Sequence, residues 1–273
     1  MTHARPAIVR APDGASIAVW DLDGEGDPVV LVHGAAADHT TWRVSGPLLA
    51  ERWRVFAVDR RGRGASGDGA SYAIEREYED LAAVVDGLAA DRGRPVDLVG
   101  HSFGGRVALG AALLSENLGR LVVYEGAPAG EVGGYLHDAI RDRLAAHLAA
   151  GDNEGLLTTF MRDVVGMPES DLAAYRADPI WPRRVAAAHT ILREVDAERA
   201  DEATVAAVAR MSVPVLQIVG GASRPTFLAA ARSLDARLAD GRIIVIPGAR
   251  HAAHHTHAPE FVAAILAFLG EPT

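Results

Sequence analysis

Short, unbroken apolar runs alternate along this chain with alanine-rich stretches in which apolar residues recur every three or four positions. The runs 16–20 (SIAVW), 28–32 (PVVLV), 54–58 (RVFAV), 96–99 (VDLV), 120–124 (RLVVY), 213–219 (VPVLQIV) and 242–246 (RIIVI) predict strands, and 7–10 predicts a further edge strand. Several of these runs lack polar alternation, as strands covered on both faces do. Helical spacing predicts helices over 75–91, 103–116, 225–239 and 259–269. This order predicts the α/β class, with a mostly parallel central sheet of about eight strands flanked by helices. Between 129 and about 210 no good strand appears, while helical spacing recurs in 135–150, 153–165 and 184–210. That block predicts a helical lid insertion over the C-terminal edge of the sheet, entered through Gly130, Gly133 and Gly134. No internal repeat, low-complexity tract or second-domain linker interrupts the pattern. Residues 1–273 therefore read as a single domain.

Composition narrows the function classes. The chain has 273 residues, 49 % apolar and 23 % charged, enough to bury a large core and unlike disorder. Its net charge is 27 − 36 = −9, which repels nucleic acid and anionic membrane and leaves a small-molecule substrate as the expected partner. With no cysteine, there are no disulfides, thiolate zinc sites, Fe–S clusters or cysteine nucleophiles. No leader-like segment and no apolar stretch of roughly 18 residues appears, so the expected location is the cytoplasm. Abundant alanine and arginine with no lysine suggest a GC-rich bacterial genome. Nothing in the sequence indicates the oligomeric state.

Residues 96–110 read VDLVGHSFGGRVALG, in which an apolar strand meets Gly100-His101-Ser102-Phe103-Gly104 and a small-residue helix follows. This is the G-x-S-x-G pattern in a strand–turn–helix setting, where a serine on a sharp turn projects its hydroxyl beside the positive end of a helix. Composition alone gives roughly 0.1 chance matches to the bare motif, so its setting carries the inference that Ser102 is a nucleophile. A buried strand also ends in His33-Gly34. The main-chain amides of Ala35, in the loop after it, and of Phe103, after the serine, are the candidate oxyanion donors. Trp42, slightly downstream, reads as core or as a wall of the site.

Residues 242–251 (RIIVIPGARH) place His251 just beyond the last strand and a Pro-Gly turn, where neutral imidazole can take a hydroxyl proton. His254, His255 and His257 follow closely and raise a metal site as a rival. No carboxylate interleaves with them and no H-E-x-x-H spacing occurs, so they read as a solvated or lid-contacting loop, with no metal.

HGA at 33–35, DRRGRGAS at 59–66, GHSFGG at 100–105 and the strand-PGARH segment at 242–251 together resemble the α/β-hydrolase family, in order and over nearly the whole chain. The resemblance implies that fold, a Ser–His–acid triad, esterase-like or related acyl chemistry and no cofactor. It also implies a structural turn for Asp59, Arg61 and Gly62. Family members most often place the acid after the strand that follows the lid, but here VPVLQIV runs into Gly220-Gly221-Ala222-Ser223-Arg224 with no carboxylate. A minority arrangement, resembling that of the haloalkane dehalogenases, takes the acid one strand earlier, where LVVYEGAP offers Glu125. Ser102 stands where those enzymes have aspartate, so dehalogenation is not implied. Glu125 is thus the candidate triad acid, against a loop-tying carboxylate or a Ser–His dyad without an acid.

The expected chemistry is cleavage of an ester-like bond in a small, largely apolar, uncharged substrate through an acyl-enzyme. The candidate pocket residues are Tyr135, Phe160, Met161, Met167 and Trp181. Rivals are other reactions of the same triad (perhydrolysis, C–C hydrolysis, acyl transfer to an alcohol) and a non-enzymatic ligand receptor on the same fold.

Overall fold

The computed structural model describes residues 5–128, 136–200 and 207–271, with only the backbone for 198–200. The strands are β1 (Ala7–Arg10), β2 (Ser16–Asp21), β3 (Pro28–Val32), β4 (Arg54–Asp59), β5 (Val96–His101), β6 (Leu118–Tyr124), β7 (Val215–Gly220) and β8 (Gly241–Ile246). They form one sheet in the order β1-β2-β4-β3-β5-β6-β7-β8. β2 pairs antiparallel with β1 and β4, and every other pairing is parallel.

The unbroken apolar runs of β3 to β7 are strands buried on both faces, with residues alternating between two cores, while β8 at the edge leaves Ile244 and Val245 exposed. Val30, Val32, Leu98 and Leu121 pack toward α2 (Ile74–Arg92) and α3 (Phe103–Ala111). Val29, Leu31, Val99 and Val122 instead share a cluster with α1 (Ser45–Leu49) and the last helix, Ala258–Leu269. In that last helix Phe261, Val262, Ile265, Phe268 and Leu269 fall on one helical face, which is why it buries against the sheet. α2 carries Glu75 and Glu77 in its first turn and stops at Gly93, whose φ of 64° suits a left-handed cap.

Between β6 and β7 the described chain is helical: α4 (Asp138–Ala149), α5 (Asn153–Thr159), a π-helical segment (Phe160–Val165), α6 (Glu169–Ala177), α7 (Trp181–Ala187) and α8 (Ile191–Ala200). Leu144, Leu156, Leu157, Leu172, Trp181 and Ile191 give this insertion its own core, which takes in Ala36 from the loop after β3. Gly130, Gly133 and Gly134 lie outside the described residues. After β7 come α9 (Pro225–Asp235), α10 (Ala253–Thr256) and α11 (Ala258–Leu269).

Two differences from the expected elements have physical reasons. α6 falls where only irregular chain was expected, because Pro168 before it and Asp178-Pro179 after it cut the periodicity into a segment too short to stand out. α3 ends at Ala111 rather than near 116, so that the chain can turn into β6 at Leu118.

Candidate active site

Parallel strands present their C-terminal ends at one edge, where ligands of open α/β sheets gather. Four non-glycine residues described here have positive φ: Asp23 (82°), Ala36 (49°), Ser102 (54°) and Glu125 (46°). The last three follow β3, β5 and β6, so backbone strain concentrates at this edge, as it does at functional sites.

Ser102 sits between β5 and α3 and is half-buried. Its N–H donates to the Tyr124 carbonyl at 2.8 Å, fastening the turn to the neighbouring strand. A Cβ on Gly104 would lie 2.3 Å from the His33 carbonyl oxygen, so only glycine lets the elbow nest against the end of β3. A Cβ on Gly34 would lie 3.0 Å from the Ser102 Cβ, which puts the loop carrying Ala35 directly against the serine. Phe103 is the first residue of α3, where a backbone N–H has no acceptor within the helix.

Glu125 lies one residue beyond β6, with a fully buried side chain. Its Oε1 accepts the Gly220 N–H at 2.7 Å and its Oε2 meets Nδ1 of His251 at 2.5 Å. A carboxylate can only accept, so Nδ1 carries the proton and Nε2 is left as the basic nitrogen. The end of β7, whose following loop holds no acid, therefore supplies an amide to the acid that follows β6. Phe227 stacks on the His251 ring with centroids 4.9 Å apart.

The main chain around His251 is held from beneath. His101 Nε2–H donates to the His251 carbonyl at 2.9 Å. The Tyr124 hydroxyl donates to the Arg250 carbonyl and accepts the Ala253 N–H at 2.9 Å. These tying groups escaped the sequence reading, as did Gly220 and Phe227. The available signals were a tyrosine just before Glu125 and a histidine just before Ser102.

Ser102 and His251 line one cavity of about 540 Å³, together with Gly34, Ala35, Phe160, Met161 and Met167. Trp181 does not line it. Its indole belongs to the core of the insertion, with Nε1–H donating to Glu154 at 3.3 Å. Trp42 is fully buried core, and Tyr135 lies outside the described residues. The cavity arginines are paired: Arg43 with Asp178 at 2.6 Å, Arg184 with Asp38 at 3.1 Å and Arg250 with Asp171 at 3.0 Å. Burial opposes ionisation of Asp38, yet Arg184, the Thr40 hydroxyl and Arg183 together hold its carboxyl well below the usual range.

His254 is not solvated. It is buried against the rings of Trp42 and His101, at centroid distances of 5.5 and 4.5 Å. His255 does meet the cavity rim, near Arg43. Among the described residues no group of three or more histidines or carboxylates could hold a metal ion. Asp59 accepts from the Trp20 indole, the His39 backbone and ring, and the Ala65 N–H, while Arg61 binds Asp80 and Asp13. Both serve the turn after β4. No described helix is long and apolar enough to cross a membrane.

The sequence matches the alpha/beta hydrolase family model over residues 29–265. It is 31 % identical over 250 residues to a pimeloyl-[acyl-carrier protein] methyl ester esterase of Neisseria meningitidis, covering 86 % of this chain and 90 % of that one. It is 40 % identical over 109 residues to a 2-hydroxy-6-oxo-2,4-heptadienoate hydrolase of Pseudomonas putida, covering 38 % of each. Among solved structures, an alpha/beta hydrolase from Sphaerobacter thermophilus superposes with a TM-score of 0.79 at 34 % identity, covering 95 % of this chain and all of that one. An esterase from Exiguobacterium antarcticum reaches 0.80 at 23 % identity, covering 97 % of this chain and all of the other, and this likeness is one of fold.

Proposed function

The chain belongs to the alpha/beta hydrolase family and is an enzyme of hydrolase type, and from that premise we propose that it is a serine hydrolase cleaving carboxylic esters through an acyl-enzyme. His251 Nε2 takes the proton of Ser102 Oγ as the oxygen attacks the ester carbonyl carbon. The carbonyl π electrons move onto oxygen, where the Ala35 and Phe103 amides receive the charge. Such donors are typically worth about 10²–10³ each in rate. Collapse of the intermediate expels the alcohol, which takes its proton from His251. Water, deprotonated by the same imidazole, then releases the acid and restores Ser102. Glu125 holds Nδ1–H and stabilises the imidazolium formed in each half.

The observation that carries this reading is the 2.5 Å contact of buried Glu125 with His251, which shares its cavity with Ser102. The N. meningitidis relative, a methyl ester esterase by name, supports the ester class. With the cavity arginines paired to aspartates and Phe160, Met161 and Met167 on its walls, the acyl group it suits is apolar and uncharged. The helical insertion acts as the lid over that group. A second reading, C–C bond hydrolysis by the same three residues, is favoured by the partial match to the P. putida hydrolase.

A panel of p-nitrophenyl esters tests the proposal. Neutral acyl esters should be turned over at least about tenfold faster than a hemisuccinate of the same length, and Ser102→Ala should abolish turnover. Failure to cleave any neutral ester, or undiminished turnover by Ser102→Ala, would overturn it.

A further inference from the structure

One buried side chain outside the triad touches both candidate oxyanion loops. Arg60 stands between Asp59 and Arg61 in DRRGRGAS and is 3 % exposed. Its N–H donates to His33 Nε2 at 3.1 Å, and His33 Nδ1–H in turn donates to the Gly34 carbonyl at 2.8 Å. Arg60 Nη2 donates to that same carbonyl at 3.2 Å. The Gly34 carbonyl and the Ala35 N–H belong to one planar trans peptide, so they point to opposite sides. Gripping the carbonyl from behind therefore aims the Ala35 N–H. A hydrogen bond to the carbonyl also polarises the peptide and strengthens its N–H as a donor. The guanidinium carbon lies 4.8 Å from the centroid of the Phe103 ring, so the same group braces the residue that bears the second amide.

The insertion completes this support. Arg60 Nη1 donates to both oxygens of Glu77 on α2, at 3.1 and 3.0 Å, while Nη2 also pairs with Glu194 on α8. Glu194 is fully buried and pairs with Arg63 as well. Two guanidinium and two carboxylate groups thus make a neutral, water-excluded cluster, and one member comes from the insertion. In such a cluster a missing partner leaves a buried charge that must move to find another.

We propose that Arg60 is a positioning residue for the oxyanion donors, and that Glu194 couples the seating of the helical insertion to their geometry. The inference rests on the reading of Ala35 and Phe103 as donors. It gives the insertion a part in rate as well as in substrate choice. Glu194→Gln keeps the shape of the side chain and removes its charge. Arg63→Met with Glu194→Met keeps the cluster neutral through Arg60 and Glu77 and removes the tie to the insertion.

The test measures kcat, KM and inhibition by a trifluoromethyl ketone that forms an oxyanion on the serine. Each value is expressed per Ser102 titrated with a fluorophosphonate, so loss of folded protein does not enter. Both variants should lose about tenfold in kcat with KM changed less than about threefold, and the inhibitor should weaken by the same factor as kcat. Values of kcat and inhibition per titrated site within twofold of the parent chain in both variants would overturn the coupling. The parent chain is the control for the underlying reading: if it takes no fluorophosphonate, serine hydrolysis fails, and if it labels normally while the variants are unchanged, only the coupling fails.

Discussion

Glu125 carries the residue-scale argument, because its role depends on one contact and one conformation. Its positive φ is strained for a residue with a Cβ, by roughly 1–3 kcal/mol, and the Gly220 amide and the His251 imidazole occupy its two oxygens. Glu125→Gln keeps the shape and loses the charge that holds the Nδ1–H tautomer and supports the imidazolium. It should lower kcat by about 10²–10⁴ with a native circular dichroism spectrum. Activity near that of the parent chain would reduce Glu125 to a loop tie and leave a Ser–His dyad. Ser102 was legible in the sequence because it follows a buried strand and lies between Gly100 and Gly104, and His251 because it follows the last strand and its Pro-Gly turn. Glu125 was legible only through the family resemblance, which offers this second acid position when the loop at 220–224 holds no carboxylate. Arg60 was not legible at all, since Gly34, Glu77, Phe103 and Glu194 come together only in the fold.

At the scale of elements, the junction of the β5 end with the loop from β8 through α10 is vulnerable to acid. Burial, then the neighbouring imidazoles, hold His101 and His254 well below the ordinary histidine range. Burial and the charge of Arg43 push His255 down to about 4. In the unfolded chain these groups titrate near 6.5, so as pH falls from 7 toward 4 the unfolded state binds more protons and stability falls. Asp80 and Asp97 oppose this. Burial pushes each up to about 6, so between about 6 and 3.8 the native state takes up protons first. Burial and the charge of Arg60 hold His33 down as well, so four imidazoles against two carboxylates leave a net loss. Denaturant midpoints should therefore drop between pH 7 and pH 5, and His254→Phe, which keeps the aromatic packing, should flatten that slope. An unchanged slope would show that His254 does not contribute to it.

The β-strands were legible to within about two residues, the central ones because an apolar run of that length can be buried only by covering both faces. In the insertion, prolines and a π-helical segment break the 3.6-residue period, so α6 was hidden, and with it the cavity-lining Asp171, Ala174 and Tyr175. Trp181 illustrates this: its size suggested a pocket wall, and its neighbours Tyr175 and Leu172 make it core.

At the scale of the whole molecule, the chain brings five strand ends to one edge. β3 carries Gly34 and Ala35, β5 carries Ser102, β6 carries Glu125, β7 carries Gly220 and β8 leads to His251. The insertion is tied down beside them by the pairing of Asp38 with Arg183 and Arg184, of Asp178 with Arg43 and of Glu194 with Arg60. A parallel sheet makes such convergence automatic, since strands running one way end on one side, and so the architecture could be read before the site. What the pattern of apolar runs does not encode is which polar groups face one another across the gaps. The central claim, that Ser102 is the nucleophile served by His251 and Glu125, is tested most directly by peptide mass spectrometry after exposure to a fluorophosphonate. The account predicts one adduct per chain, on the peptide containing Ser102, formed at least about a hundredfold more slowly in His251→Ala. An adduct elsewhere, or full ester hydrolysis with that peptide unmodified, would contradict it.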